Sequence, residues 1–144
     1  MSSEAPTKLS FVVPGEPVGK ARARARVVRT KTGGAFASFY TPAQTRAYEE
    51  GVRLVCQAAV ARVRWAWSPK DRFALSIHVY RKHEGAGSDL DNYVKAASDA
   101  INGVAFPDDR YVRELVATLA QDAERPRVEV VVTRIRVGEG RRVA

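Results

Sequence analysis

The spacing of hydrophobic residues changes several times along the chain, and each change marks an element. Leu9 to Val13 is a short apolar run stopped by Pro14-Gly15, which predicts a strand. From Lys20 to Arg26 cations alternate with alanine, so an extended chain would carry Arg22, Arg24 and Arg26 along one side. Thr32-Gly33-Gly34 reads as a hairpin turn, and Ala35 to Tyr40 as the returning strand, bearing Phe36, Phe39 and Tyr40. The period then lengthens. Tyr48, Val52, Val55, Ala59 and Val63 form the apolar stripe of a helix that ends near Val63. Thr41 as cap, Pro42 in the first position and Gln44 in a capping box signal its start. Residues 65 to 71 read as a loop in which Trp65 and Trp67 either close the core or sit at a subunit interface. Phe73, Leu75, Ile77 and Val79 alternate as one face of a strand reaching Tyr80. Leu90, Val94, Ala97 and Ile101 make a second helical stripe over residues 89 to 102, with Ser88 as cap and Gly103 just past the end. Tyr111 to Ala120 has helical propensity, but its branched residues argue for a strand, and Val128 to Ile135 reads as the last strand.

The order β, β, α, β, α, β, β predicts an α/β fold of mixed α+β type: a small mixed β-sheet of about five strands with two main helices, not a doubly wound sheet. At 144 residues the chain is read as one domain spanning 1–144, with an ordered core over 9–137 and flexible ends. Hydrophobic residues at 45% and charged residues at 28% describe an ordinary globular protein. No apolar run approaches a membrane span, and the N-terminus lacks the apolar core of a secretion signal, so no membrane partner is expected. The single cysteine, Cys56, has no internal partner and reads as a small buried hydrophobe. A reducing, cytoplasmic location fits it.

Charge changes this picture. The net charge is +8, but its sign varies along the chain. Residues 20 to 31 hold Lys20, Arg22, Arg24, Arg26, Arg29 and Lys31 and no acid, while residues 84 to 122 hold eight of the 16 acids. A run of like charges repels itself unless a polyanion is expected, which favours a nucleic-acid arm over a solvated edge strand. Arg81 and Lys82 extend the candidate backbone contacts. The aromatics of the returning strand suit either base stacking or packing. His78 and His83 have no paired His or Cys at metal-ligand spacing.

Within the acidic region Asp89 and Asp91 bracket Leu90. Asp91, Lys95 and Asp99 recur every fourth residue along one helical face, and Asp108-Asp109 follow after a short connection. Like charges held together raise one another's pKa unless cations share the site. A divalent cation and Lys95 are the natural neutralisers, and hard carboxylate oxygens with Mg²⁺ are the chemistry of phosphodiester hydrolysis. The plainer reading also stands: acids favour a helix start through the macrodipole, and a proline followed by two acids forms turns.

These residues resemble the RusA family of Holliday-junction resolvases. Its D-x-D-N-x-x-K element reads here as Asp89-Leu90-Asp91-Asn92-Tyr93-Val94-Lys95, its D-A-[LI] element as Asp99-Ala100-Ile101, and its acidic pair as Asp108-Asp109. The N-terminal strand ending in Pro14-Gly15, the basic segment and Tyr40-Thr41-Pro42 entering a helix are similar to bacteriophage-type members. The resemblance implies a RusA-like fold, a homodimer, and a metal-dependent endonuclease acting on branched double-stranded DNA by paired nicks at a four-way junction. It implies a catalytic set of Asp89, Asp91, Lys95 and Asp109, with Asp89, Asp91 and Asp109 holding Mg²⁺, or Mn²⁺ as a substitute. Asn92 would orient a ligand. Asp99 would pair with Lys95 or anchor the helix. Of Asp108 and Asp109, adjacent in a strand, only one would face the metal. The competing class is a non-catalytic basic DNA-binding module with a structural acidic cluster; a D-x-D nucleotide-sugar transferase is a third, disfavoured by the basic arm.

Overall fold

A computed structural model describes residues 5–20, 24–40, 42–85 and 87–135, with the side chains of 24–26 and 36–40 excepted. In chain order the elements are β1 (Lys8–Pro14), β2 (Arg24–Arg29), β3 (Ala35–Tyr40), α1 (Ala43–Val63), β4 (Arg72–Arg81), α2 (Leu90–Ile101), β5 (Val112–Gln121) and β6 (Arg127–Ile135). A 3-10 turn, Asp109–Tyr111, leads into β5. The alternative left open for residues 111 to 120 is thus resolved as a strand. The fold is a mixed α+β arrangement, but its strands divide differently from the expectation of one sheet of about five. Four form a mixed sheet in the order β1-β6-β4-β5, and β2 and β3 pair only with each other as a separate hairpin.

Register explains the core. Leu9, Val132 and Leu75 lie side by side across three strands, as do Phe11, Val130 and Ile77, and Val13, Val128 and Val79; all nine are buried. Period-2 alternation puts them on one face, and that face takes the helices: α1 packs on β1 and α2 on β4 and β5. The β4–α2–β5 path is a parallel crossover, which requires a helix or similar connection. Pairing between β4 and β5 shifts register at its start, between Phe73 and Ala74, so Arg113 is bulged out beside the 3-10 turn.

The helical stripes are offset from the predicted ones. In α1 the buried residues are Thr45, Val52, Cys56 and Ala59, whereas Val63 is 37% exposed. Cys56 is buried as expected, in a solvent-poor position that pushes its thiol pKa up to about 12. Pro42 is the cap residue, without a side-chain bond, and Thr41 lies outside the described residues. In α2 the sunken face is Tyr93, Ala96, Ala97, Ala100 and Ile101, and Leu90 and Val94 are only half-buried. Asp89 rather than Ser88 caps this helix, and Gly103 follows it with the positive φ of 82° predicted for that position. Among the described residues no helix is long and apolar enough to cross a membrane.

An aromatic cluster locks the end of α2 to the sheet. Phe73 lies between Trp65 and Phe106, with ring centroids 6.3 and 5.9 Å away. The Trp65 indole donates to the Ala105 carbonyl at 2.7 Å and the Trp67 indole to that of Val104 at 3.0 Å. Trp65 therefore closes the core, and both indoles grip the connection that returns the chain from α2 towards Asp108 and Asp109. Phe73→Ala is expected to remove about 3–5 kcal/mol of stability, measured by chemical denaturation; a loss under about 1 kcal/mol would show that the cluster packs around something else.

Candidate active site

The D-x-D segment sits where a loop becomes α2. Asp89 is extended, with φ −72° and ψ 160°, and its carbonyl accepts from the amides of Asn92 at 3.1 Å and Tyr93 at 3.3 Å. Its carboxylate makes no capping bond. Asp89, Asp91 and Lys95 are all exposed, and among the described residues no ion pair or side-chain hydrogen bond engages them. The loop before them is held from two sides. The Arg81 guanidinium donates to the Ser88 carbonyl at 3.1 Å, and the Ser88 amide donates to the Tyr93 hydroxyl at 3.1 Å. Ser88 thus serves the loop through its backbone instead of capping the helix with its side chain.

Asp108 and Asp109 do not lie in a strand, so strand alternation does not choose between them. Asp108 caps the 3-10 turn, its Oδ1 accepting from the Arg110 amide at 3.1 Å. That bond, followed by a hydrogen bond shared with the Asp109 carboxyl, holds the Asp108 pKa below the ordinary value. Asp109 moves the opposite way: the hydrogen bond with Asp108 raises it most, followed by desolvation and the charges of Asp108 and Asp99. Asp109 opens on a cleft of about 290 Å³ between α2 and the start of β5, lined among others by Val94, Ser98, Arg113 and Leu115.

The carboxylates are brought together only in part. Of the α2 carboxylates, Asp99 is one whose charge raises the Asp109 pKa. Val94 and Ser98, which share the cleft with Asp109, lie three and seven residues beyond Asp91, about 4.5 and 10 Å along the helix axis. Among the described residues no three Asp, Glu, His or Cys side chains are grouped closely enough to cage a metal ion. The donor chemistry nonetheless suits a hard divalent cation. Mg²⁺ keeps most of its waters and takes only one or two carboxylates, and the oxygens of Asp89 and Asp91 are uncommitted.

Asp99 is not paired with Lys95. It meets Lys20 instead, at 3.3 Å, and Lys20 also donates to Glu49 on α1 at 2.6 Å. Burial works against this ammonium, but the hydrogen bonds and charges of Glu49 and Asp99 outweigh it and raise its pKa. Glu49 was not among the sequence candidates, and no local pattern marks it, since 29 residues separate it from Lys20.

The family model for endodeoxyribonuclease RusA matches residues 14–133. The chain belongs to the RusA family. No curated protein matches it. RusA proteins are endonucleases that resolve Holliday junctions, and the matched span contains the D-x-D helix, Lys95 and the Asp108-Asp109 turn. Of the cations expected to face DNA, Arg29, Lys31 and Lys82 are exposed. Arg22 lies outside the described residues; Arg24 and Arg26 belong to β2, their side chains outside the description. The choice between base stacking and packing for Phe36, Phe39 and Tyr40 concerns side chains outside the description as well. Arg81 differs: it is 7% exposed and bonded to Ser88 and Glu84, so in this RusA protein it helps to build the loop. Lys20 is likewise turned inwards.

Because Asp109 holds its proton more tightly than a free aspartate, its carboxylate form is lost at a higher pH as the medium is acidified. Carboxyl NMR should show Asp109 titrating above an ordinary exposed aspartate. Asp108→Asn keeps an oxygen for the Arg110 amide but removes the shared charge, and should move Asp109 downwards. An unmoved titration would mean that Asp108 is not the cause.

Proposed function

We propose that this RusA-family chain is a divalent-metal-dependent endonuclease that resolves four-way DNA junctions by paired nicks, working as a homodimer. The observation that carries the reading is the exposed start of α2, where Asp89 and Asp91 are uncommitted and Lys95 stands one turn further along the same face. Carboxylates that the fold leaves exposed and unpaired keep their oxygens open to a cation that arrives with the substrate.

Asp89, Asp91 and Asp109 would hold Mg²⁺, or Mn²⁺ in its place, one or two of them at a time, with phosphate oxygens and waters completing the set. The bound ion supplies Lewis-acid charge and an acidified water. The chain's own groups do the rest. Lys95 holds a non-bridging phosphate oxygen and balances the charge that builds on it. Asn92, on the first turn, orients a ligand. Asp108 fixes the 3-10 turn that carries Asp109 and delays Asp109's ionisation. Arg29, Lys31 and Lys82, with Arg22, Arg24 and Arg26 of the arm, collect the backbone by charge, which gives affinity without sequence readout. A twofold dimer matches a substrate that has two strands to cut.

The absence of a three-carboxylate cage among the described residues favours one alternative, a basic DNA-binding module without catalysis. A synthetic four-way junction and a supercoiled plasmid, each with Mg²⁺ and with chelator, separate the two readings. The nuclease cuts only with metal. Asp91→Asn should lose at least about a hundredfold in rate and still bind the junction. Binding with no cleavage under any condition would establish the module, and normal cutting by Asp91→Asn would displace the site. For the arm, replacing Arg22, Arg24 and Arg26 with Ala should flatten the slope of log K against log salt by about 0.9 for each phosphate no longer neutralised. An unchanged slope removes these residues from the DNA surface.

A further inference from the structure

The segment that leads from β1 to the basic arm is built into the candidate active site before the arm begins. The Glu16 carboxylate accepts from the Lys82 amide at 3.0 and 3.3 Å, and Pro17 is buried. Gly19 passes so close to the D-x-D loop that a Cβ there would lie 2.0 Å from the Ser88 hydroxyl oxygen and 3.4 Å from the Asn92 Cβ. The Lys20 amide donates to the Asn92 carbonyl at 2.9 Å, inside the first turn of α2. Its ammonium then bridges Glu49 on α1 and Asp99 near the end of α2, with only 22% of the side chain exposed. One residue therefore touches both ends of the helix that carries Asp91 and Lys95, and the next residues are the arm.

We infer that Lys20 is a positioning residue: it fastens the root of the basic arm to α2, so that a DNA strand gathered by the arm is presented to the face bearing Asp91 and Lys95. Its charge is spent on Glu49 and Asp99 and is not available for phosphate. Without it those two carboxylates face each other across the helix pair with no shared cation, and Asp99 adds unbalanced charge beside Asp109. The inference rests on the nuclease reading for its catalytic consequence but not for its structural one.

Three variants test it: Lys20→Met, Lys20→Arg and Glu49→Gln. A residue that acts by position governs turnover: with saturating junction DNA, Lys20→Met should lose about ten- to a hundredfold in kcat. The salt slope of its binding should stay as in the parent. Lys20→Arg keeps a cation with several donors and should recover most of the loss, while Glu49→Gln removes one partner and should repeat part of it. Hydrogen exchange supplies a readout that needs no cleavage: the amide at position 20 should exchange faster in Lys20→Met, with the fold otherwise retained by thermal melting. A flatter salt slope with unchanged kcat would make Lys20 a DNA contact and overturn the inference, as would unchanged kcat together with unchanged exchange. If Lys20→Met is too unstable to assay, Glu49→Gln decides on the same criteria. If the parent protein never cuts, the nuclease reading fails, and the exchange result alone still judges whether Lys20 is the fastening.

Discussion

With Tyr93, Ala96, Ala97, Ala100 and Ile101 withdrawn from water, α2 can sit on the sheet in only one rotation. Everything proposed for this protein depends on that burial. A helix turned by one residue, about 100°, would drive Asp91 or Lys95 into the core, where an unpaired charge costs far more than the packing returns. Three of the buried residues are alanines, which bring the helix close to its neighbours and leave its polar face near the surface. At the far end, the Trp65–Phe73–Phe106 cluster and the two indole hydrogen bonds fix the connection, so the chain comes back beside the same helix at Asp109. The placement of the acids is a consequence of apolar packing, not of attraction between charged groups.

The same region shows three ways of living with concentrated negative charge. Asp99 shares a cation with Glu49. Asp108 and Asp109 share a hydrogen bond, which pushes their proton affinities apart. Asp89 and Asp91 are left to solvent at the positive end of a helix dipole, where carboxylates are tolerated. The first two arrangements are internal to the fold. The third is open, and it is the one that an arriving ion and phosphate can complete.

The charge map also separates cations by duty. Arg81, Lys20, Arg127 and Arg134 are all drawn into ion pairs or carbonyl contacts that hold loops and strands together. Arg29, Lys31 and Lys82 stay exposed. The count of 24 lysines and arginines therefore overstates the cations offered to a polyanion, because several of them are structural.

By itself the sequence determined the elements and the chemistry. Alternation in Phe73 to Val79 and Val128 to Val132 is a local property of a strand, and the i, i+4 spacing of Asp91 and Lys95 is a local property of a helix, so both were legible without a fold. Membership of the RusA family was legible for the same reason, since its motif lies mostly within one helix and the turn after it. Partner choice was decided only in three dimensions. Asp99 had Lys95 one turn away and took Lys20, 79 positions earlier in the chain, because packing of α1 against α2 brings Glu49 and the arm root to that side. Arg81 looked like one more surface cation until the close of the loop on Ser88 buried it. Long-range contacts of this kind follow from how helices and sheet pack, and no spacing along the chain records them.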